Sequence, residues 1–512
     1  MSSPVACRFG SLHAVDVDLL VVPWFEGDAP SAVPGLDEAV AGEVARAIST
    51  GEFTGRPWEV FLAPVGKDAW SAKRVALIGA GRESAFDQNL ARRIGTAAGL
   101  LGRQRRIARL GLVLRPGQAA PSGDVDVAGF VQALVVGLTL SEFDAATYQT
   151  TPSRTGAVPA FTVVVPELRD SSPESPARID GAVVRGRVLG EATNLARGLA
   201  NEPGNTLTPT IFAERAREIA VGGGATAEIL DESRIEALGM GMLLGVARGS
   251  SEPPRLMVFR HEPPGLKPGP TLALVGKGIT FDTGGISLKP AENMEAMKDD
   301  MAGGAAVAAA MRAIAQLNAP IRVIGLVPAA ENMPGGRALK PGDVIRSAEG
   351  KTVEVVNTDA EGRLVLGDAL WYARQLGATH LVDVATLTGG MIVALGKTTS
   401  GLFATPDWWQ EQVRRTGDRA GDRMWPLPLF DDYRERLKSE IADMINTAGR
   451  PGTSIVAAKF LQEFTGGLPW AHLDIAGTSW ADDAKPWMPK GPTGVGVRTL
   501  VELAFTSEGW KR

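Results

Sequence analysis

Short apolar runs alternate with stretches of helical spacing through the first 165 residues. Segments 35–48 and 89–101 place apolar residues at intervals of three and four, which predicts helices that pack by one face. Apolar runs bounded by turn residues predict strands between them. These strand segments are 18–23, 58–64, 74–78 and 162–165. Alternating strands and helices predict an α/β layer fold.

A polar segment interrupts this alternation. Residues 167–178 contain serine, proline and acidic residues where the earlier segments have apolar runs. Such a composition is typical of a linker. We therefore predict a smaller N-terminal α/β domain over 1–166, a linker over 167–178 and a larger C-terminal α/β domain over 179–512.

The alternation resumes in the second domain after a predicted helix at 182–197. Its order of strand, helix and strand predicts a mostly parallel central sheet flanked by helices. Binding sites in such sheets lie beyond the carboxyl ends of the strands. The predicted strands are 255–259, 271–275, 321–328, 353–356 and 380–384, and the predicted helices are 305–316, 363–376 and 455–464.

Composition and charge exclude several classes of protein. The chain has 512 residues, of which 44% are apolar and 22% charged, and its net charge is −5. With no dense basic run, a nucleic-acid surface is not expected. The amino terminus lacks a signal-peptide pattern, and the longest apolar run, 130–140, is too short to span a bilayer. The single cysteine, Cys7, fits a reducing compartment. We expect a cytoplasmic protein without a membrane partner.

Charged residues concentrate in two segments that follow predicted strands. The first segment, 275–290, is followed by an alanine-rich helix, and the second, 357–364, precedes another helix. Together with Asp300, which precedes the alanine-rich helix, they contain Lys277, Asp282, Lys289, Asp359, Glu361 and Arg363. Asp359 and Glu361 are two positions apart, so an extended turn can direct both carboxylates the same way. Arg363 opens a helix, where an anion is favoured.

Four carboxylates at neighbouring strand ends would repel one another without a cation. Hard oxygen ligands in this number suit two divalent ions that share bridging carboxylates, about 3.5–4 Å apart. Any one of these residues alone is more often a cap, a turn residue or a surface ion pair. Their ordered combination favours a metal site.

At this point the sequence resembles the leucyl (cytosol) aminopeptidases. The string Asn357-Thr-Asp-Ala-Glu-Gly-Arg-Leu364 is similar to the signature of that family, and the charged series from Lys277 to Arg363 follows its order and spacing. The resemblance covers nearly all of the second domain. It continues through 201–205, 331–337, 341–344, 385–390, 425–429 and 470–477.

The resemblance implies a role for each charged residue. One metal ion would be held by Lys277 as a neutral amine, Asp282, Asp300 and Glu361. The other would be held by Asp282, Asp359 and Glu361. Lys289 would polarise the scissile carbonyl, and Arg363 would hold a bicarbonate that acts as general base. A hydroxide activated by the two metals would then remove the N-terminal residue of a peptide with a free amino group.

The resemblance also implies a side-chain pocket, an assembly and a cofactor set. Leucine and other apolar residues would be preferred, and subunits would form a homohexamer. The N-terminal domain, of the macro-like type, would serve assembly or access. The metal would be Mn²⁺ or Zn²⁺, with Mg²⁺ or Co²⁺ as further options. The pocket would be lined by Met297, Thr386, Leu387, Gly389, Ala476 and Ser479.

Three alternatives stay open at the level of sequence. A two-metal hydrolase of phosphoesters would need more basic residues than Lys289 and Arg363 to hold phosphate. A DNA-binding regulator conflicts with the acidic balance of the chain. A catalytically inactive scaffold conflicts with the presence of every expected ligand.

Overall fold

A computed structural model of the chain describes residues 3–66, 70–115, 126–151, 156–166 and 175–510. These residues form two compact units. The first comprises 1–194 together with 483–490, and the second comprises 195–482 together with 491–512. The division falls later in the chain than the predicted linker, 167–178. Residues 176–178 begin a continuous helix that ends at Asn201, whereas residues 167–174 lie outside the described part.

The first unit contains a six-stranded sheet in the order β1-β6-β5-β2-β4-β3. Its strands are β1 (Val5–Phe9), β2 (Leu19–Phe25), β3 (Val60–Pro64), β4 (Arg74–Gly81), β5 (Arg109–Val113) and β6 (Ala160–Val165). Its helices are α1 (Leu36–Ala39), α2 (Glu43–Ser49), α3 (Gln88–Gln104), α4 (Val127–Leu140) and α5 (Pro176–Asn201). Only β3 runs antiparallel to its neighbour among these pairs.

Apolar residues of this unit form separate buried clusters on the two faces of the sheet. Leu19 and Val21 belong to one cluster, and Leu20 and Val22 to the other, as the two-residue period of a strand requires. Cys7 packs beside the first cluster. Burial raises the pKa of its thiol to about 11, so it stays protonated at neutral pH.

The second unit is built on a larger, mostly parallel sheet. Within the described residues its order is β16-β15-β18-β14-β9-β11-β8-β7, and β10 also pairs with β11. Its strands are β7 (Thr226–Leu230), β8 (Arg255–His261), β9 (Thr271–Gly276), β10 (Gly278–Asp282), β11 (Arg322–Asn332), β14 (His380–Ala385), β15 (Ser400–Thr405), β16 (Met424–Pro426) and β18 (Trp470–Asp474).

Helices cover this sheet, and two small sheets lie apart from it. The helices are α6 (Pro209–Val221), α7 (Glu232–Ala237), α8 (Gly241–Ala247), α9 (Ala302–Gln316), α10 (Gly362–Gln375), α11 (Gly389–Leu395), α12 (Asp407–Ala420), α13 (Asp432–Glu435), α14 (Thr453–Gln462) and α15 (Val497–Leu503). The small sheets contain β12 (Val344–Arg346), β13 (Thr352–Glu354) and β17 (Met444–Ile445), and β19 (Trp480–Ala481) and β20 (Gly491–Pro492).

The predicted fold class is confirmed, with one difference that concerns the site. The strand predicted at 353–356 is the short β13, which pairs with β12 and β17 and not with the central sheet. The segment 357–361 therefore follows a small separate sheet. In the part of the chain that the structure describes, no helix is long and apolar enough to cross a membrane.

Candidate metal centre

The parallel strands of the central sheet bring two of the charged residues to the same edge. Lys277 follows β9 directly, and Asp282 ends β10. The backbone of Lys277 is fixed on both sides: its N–H donates to Val384 O at 3.0 Å, and its carbonyl accepts from Gly304 N at 2.7 Å. These bonds tie the end of β9 to β14 and to the first turn of α9.

Lys277 joins two carboxylates that are far apart in the chain. Its side chain is 3% exposed, and Nζ lies 2.8 Å from Asp300 Oδ2 and 2.7 Å from Glu361 Oε1. A Cβ at Gly362 would lie 2.7 Å from Lys277 Cε and 2.8 Å from Nζ. The bare glycine backbone thus makes room for the lysine at the start of α10.

Glu361 also belongs to a compact group of three carboxylates, two of which pair with Lys289. Ligand oxygens of Asp282, Asp359 and Glu361 all lie within 4.8 Å of one another. Lys289 Nζ lies 2.7 Å from Asp282 Oδ2 and forms a second ion pair with Asp359 Oδ1. At 22% its side chain is far more exposed than that of Lys277. Lys289 is therefore the lysine that an arriving molecule can contact.

Burial and crowding of like charges perturb the acidic groups. Burial raises the pKa of Asp300, Asp359 and Glu361, and the neighbouring carboxylate of Asp282 raises it further in each case. Burial lowers the pKa of Lys277, but the attraction of Asp300, Glu361 and Asp282 outweighs it, so the net pKa lies above its usual range.

This set of donors fits divalent cations. Two lysines stand among three buried carboxylates and the partly exposed Asp359. Clustered anions of this kind recur in proteins as ligands for hard cations. Asp282, Asp359 and Glu361 could hold one ion. Lys277, Asp300 and Glu361 could contribute to a second, provided that Lys277 gives up its proton, because only the neutral amine is a ligand.

Three asparagine and threonine side chains hold the segment 357–361 in place. Asn332 Nδ2, at the end of β11, donates to Asp282 Oδ1 at 2.8 Å and to Thr358 O at 3.0 Å. Thr358 Oγ1 donates to Gly284 O at 2.6 Å. Asn446 accepts from Val356 N at 2.9 Å and donates to Asn357 O at 2.6 Å. These hydrogen bonds fix the segment, which does not follow a strand of the central sheet.

Sequence reasoning did not assign these supporting residues. Asn332 lies within the quoted segment 331–337, but its role depends on the pairing of β10 with β11, which joins positions 50 residues apart. Asn446 and Asp474 are likewise remote in the sequence from the residues that they contact. Only the fold brings them together.

Arg363 lies at the start of α10, separate from the carboxylate group. Its side chain is 4% exposed, and Nη1 donates to Asn446 O at 2.9 Å. Nε is buried and has no hydrogen-bond partner among the described residues. Burial lowers the pKa of this guanidinium to about 10, and nearby acidic groups oppose the shift. An anion would give the free donor a partner.

One predicted pocket residue contacts the charged cluster directly, and two others lie beside it. Thr386 Oγ1 donates to Asp300 Oδ1 at 2.7 Å, and the Thr386 carbonyl accepts from Lys277 Nζ at 3.1 Å. Ser479 Oγ donates at 2.9 Å to Asp299, the residue before Asp300. Met297 lies in the same 3-10 segment as Asp299.

The remaining predicted pocket residues lie on the two neighbouring loops that follow β14 and β18. The N–H groups of Leu387 and Ala476 both approach Asp474 Oδ1, at 3.3 and 3.1 Å. Gly389 opens α11 and is exposed. The buried carboxylate of Asp474 thus joins these two loops beside the cluster.

A buried polar group lies under these loops. The Asp383 carboxylate, on β14, accepts from Trp470 Nε1 at 2.7 Å and lies 2.5 Å from His472 Nδ1. All three side chains are fully buried. Burial lowers the pKa of His472, but Asp383 outweighs it and the net shift is upward. His472 is therefore a core residue, buried against Asp383.

Family models match both parts of the chain. The model described as "Cytosol aminopeptidase family, catalytic domain" matches residues 194–501, and that for the N-terminal domain of the same family matches residues 21–152. The chain belongs to the cytosol aminopeptidase family. It is therefore a metal-dependent aminopeptidase.

Curated relatives of the cytosol aminopeptidase family match over nearly their full length. A relative named "Probable cytosol aminopeptidase" from Solibacter usitatus is 46% identical over 98% of this chain and 98% of its own. One of the same name from Koribacter versatilis is 42% identical over 96% of this chain and 97% of its own.

Solved structures of related enzymes share the fold. The bottromycin maturation enzyme BotP in complex with Mn has a TM-score of 0.82 and 36% identity, over 96% of this chain and 99% of the other. A mutant of tomato leucine aminopeptidase has a TM-score of 0.87 and 30% identity, over 98% and 96%.

Proposed function

We propose that this aminopeptidase uses two metal ions to release N-terminal residues, preferably leucine and other apolar residues, from peptides. The observation that supports the proposal is the clustering of Asp282, Asp300, Asp359 and Glu361 with two lysines among them. Two bound divalent cations would lower the pKa of a water molecule and polarise the scissile carbonyl.

The two lysines have different tasks in this proposal. Lys277, with 3% exposure, is a ligand and contacts no substrate. Lys289 is more exposed and pairs with the other two carboxylates, Asp282 and Asp359. Its ammonium group donates a hydrogen bond to the carbonyl oxygen as negative charge develops there.

Arg363 is the proposed site of a general base that the side chains do not supply. Its unpartnered Nε and buried position favour a small anion, and we propose bicarbonate. A bicarbonate there would accept a proton and return it to the leaving amine. The four histidines of the chain are His13, His261, His380 and His472. None of them lies in either charged segment.

The proposal also extends to the cofactor and the setting of the enzyme. Mn²⁺ is favoured by the BotP complex, and Zn²⁺ is the second choice for this mixed nitrogen and oxygen set. We propose that the protein acts in the cytoplasm on peptides with a free N-terminus. We also propose that it assembles as a homohexamer, with the N-terminal domain serving assembly or access.

Hydrolysis of leucine p-nitroanilide and its N-acetylated form tests the proposed function. Chelator-stripped protein should be inactive, and added Mn²⁺ or Zn²⁺ should restore hydrolysis of the free-amine substrate alone. An Asp359→Asn variant should stay inactive with either ion. Hydrolysis of the acetylated substrate at a similar rate, or full activity after stripping, would contradict the proposal.

A further inference from the structure

One more buried carboxylate, that of Asp299, lies beside the cluster and takes no part in it. Asp299 ends the 3-10 segment Met294–Asp299, and the residue is 9% exposed. The next residue, Asp300, turns to Lys277 and Thr386. Asp299 instead accepts a hydrogen bond from Ser479 Oγ at 2.9 Å. The two consecutive carboxylates therefore face different partners.

The contacts of Asp299 place it in the proposed side-chain pocket. Ser479 lies in the turn after β18, whose start is tied to the end of β14 by the bond from Ile475 N to Ala385 O at 2.8 Å. Met297 belongs to the same 3-10 segment and is partly exposed. Asp299 thus lies next to two pocket residues and one position from a proposed metal ligand.

No cation of the protein neutralises this carboxylate at close range. In the described parts of the chain, Asp299 forms no ion pair within 4.0 Å. The adjacent Lys298 is engaged elsewhere: Nζ donates to Asn201 O at 2.9 Å and lies 5.5 Å from the centre of the Trp480 ring. Lys277 and Lys298 attract this buried carboxylate without contacting it, and its side-chain donor is the neutral Ser479 hydroxyl. A cationic group in direct contact would therefore stabilise it.

We propose that Asp299 lets the pocket accept lysine or arginine in addition to leucine and other apolar residues, and favours these cationic side chains over an unbranched apolar side chain of the same length. The inference rests on the proposed function, since the pocket has this role only if N-terminal residues are released. Leucine fills the apolar walls at Met297, Leu387 and Ala476 but is too short to need the carboxylate. Lysine has a four-carbon stem that packs on the same walls, and its ammonium group can reach Asp299.

Ser479 has a supporting part in this arrangement. Its hydroxyl holds one carboxylate oxygen of Asp299, which fixes the orientation of the group. An apolar pocket distinguishes only weakly between side chains that differ by one methylene. A preoriented carboxylate distinguishes more strongly between a cationic and a neutral side chain of equal length. Asp299 is therefore a specificity-determining residue.

The test compares lysine p-nitroanilide with norleucine p-nitroanilide on metal-loaded enzyme. The two side chains share the same carbon stem, so their ratio of kcat/KM isolates the ammonium group. We expect the wild type to favour lysine. Asp299→Asn should lower the ratio at least tenfold, and Asp299→Glu should restore part of it. Glu295→Gln, at an exposed position of the same 3-10 segment, should leave the ratio unchanged.

The outcomes separate this inference from the proposed function. Failure of the loaded wild type to hydrolyse either substrate overturns the proposed function. A wild type that favours norleucine overturns the inference on Asp299 alone, and that comparison stands even where a variant does not fold. An unchanged ratio in a folded Asp299→Asn variant overturns it as well.

Discussion

At the scale of single residues, the site depends on close approaches that leave no spare volume. Gly362 contacts the stem of Lys277 so closely that a methyl group would lie 2.7 Å from Cε. Asn332 Nδ2 donates a hydrogen bond to Asp282 Oδ1 and so fixes this carboxylate. The position of each proposed ligand is set by such neighbours as much as by its own rotamer.

A methyl group at Gly362 tests this tight packing. Gly362→Ala should displace Lys277 from Asp300 and Glu361 and lower kcat/KM about 100-fold, with weaker metal binding by calorimetry. Gly198→Ala is the matched control, because a Cβ there meets nothing within 4 Å. Wild-type activity and affinity in the Gly362→Ala protein would show that Lys277 is not held by this contact.

The proposed metal ligands could be predicted from the sequence, but the residues that hydrogen-bond to them could not. Lys277, Asp282 and Glu361 could be predicted because they stand in compact motifs next to predicted strands. Asn332, Asn446 and Asp299 could not, because hydrogen bonds between positions 50 to 180 residues apart define their roles. A single sequence gives no signal for such pairs.

At the scale of elements, a buried carboxylate joins two helices. Asp368, on α10, is fully buried and accepts from the N–H groups of Met242 and Leu243 at the start of α8, at 3.0 and 3.1 Å. It also accepts from Ala348 N at 2.8 Å. Burial raises its pKa to about 7 against the effect of these three donors.

This pKa predicts a change of stability with pH. Between about pH 4 and pH 7 folded Asp368 binds a proton that the unfolded chain has lost, so the free energy of unfolding falls as pH rises through this window. Between pH 5.5 and 7 the loss amounts to about 2 kcal/mol, a few degrees in melting midpoint. The difference in melting midpoint, wild type minus Asp368→Asn, should therefore fall as the pH rises from 5.5 to 7. Parallel pH profiles of the two proteins would contradict the prediction.

Element prediction succeeded where apolar spacing was regular and failed where pairing was remote. The segments 271–275 and 380–384 became the central strands β9 and β14 with nearly the same bounds. The segment 353–356 is equally apolar, but it pairs with β12 and β17 in a separate sheet. Local pattern shows that a strand forms and does not show which sheet it joins.

At the scale of the whole molecule, the two units have different relations to the site. The residues of the charged cluster all belong to the second unit, 195–482 with 491–512. The division between the two compact units lies inside the helix α5, which a sequence pattern does not show. The linker at 167–178 stays a prediction, because residues 167–174 lie outside the described part.

The central claim is that the cluster binds two catalytic metal ions per chain. Its most direct test is a titration of chelator-stripped protein with Mn²⁺, followed by leucine p-nitroanilide hydrolysis and by the heat of binding. We predict that activity reaches its maximum at two equivalents per chain, and that Glu361→Gln, which removes the carboxylate common to both proposed sites, neither binds two ions nor becomes active. Full activity at one equivalent, or in the stripped protein, would contradict the account.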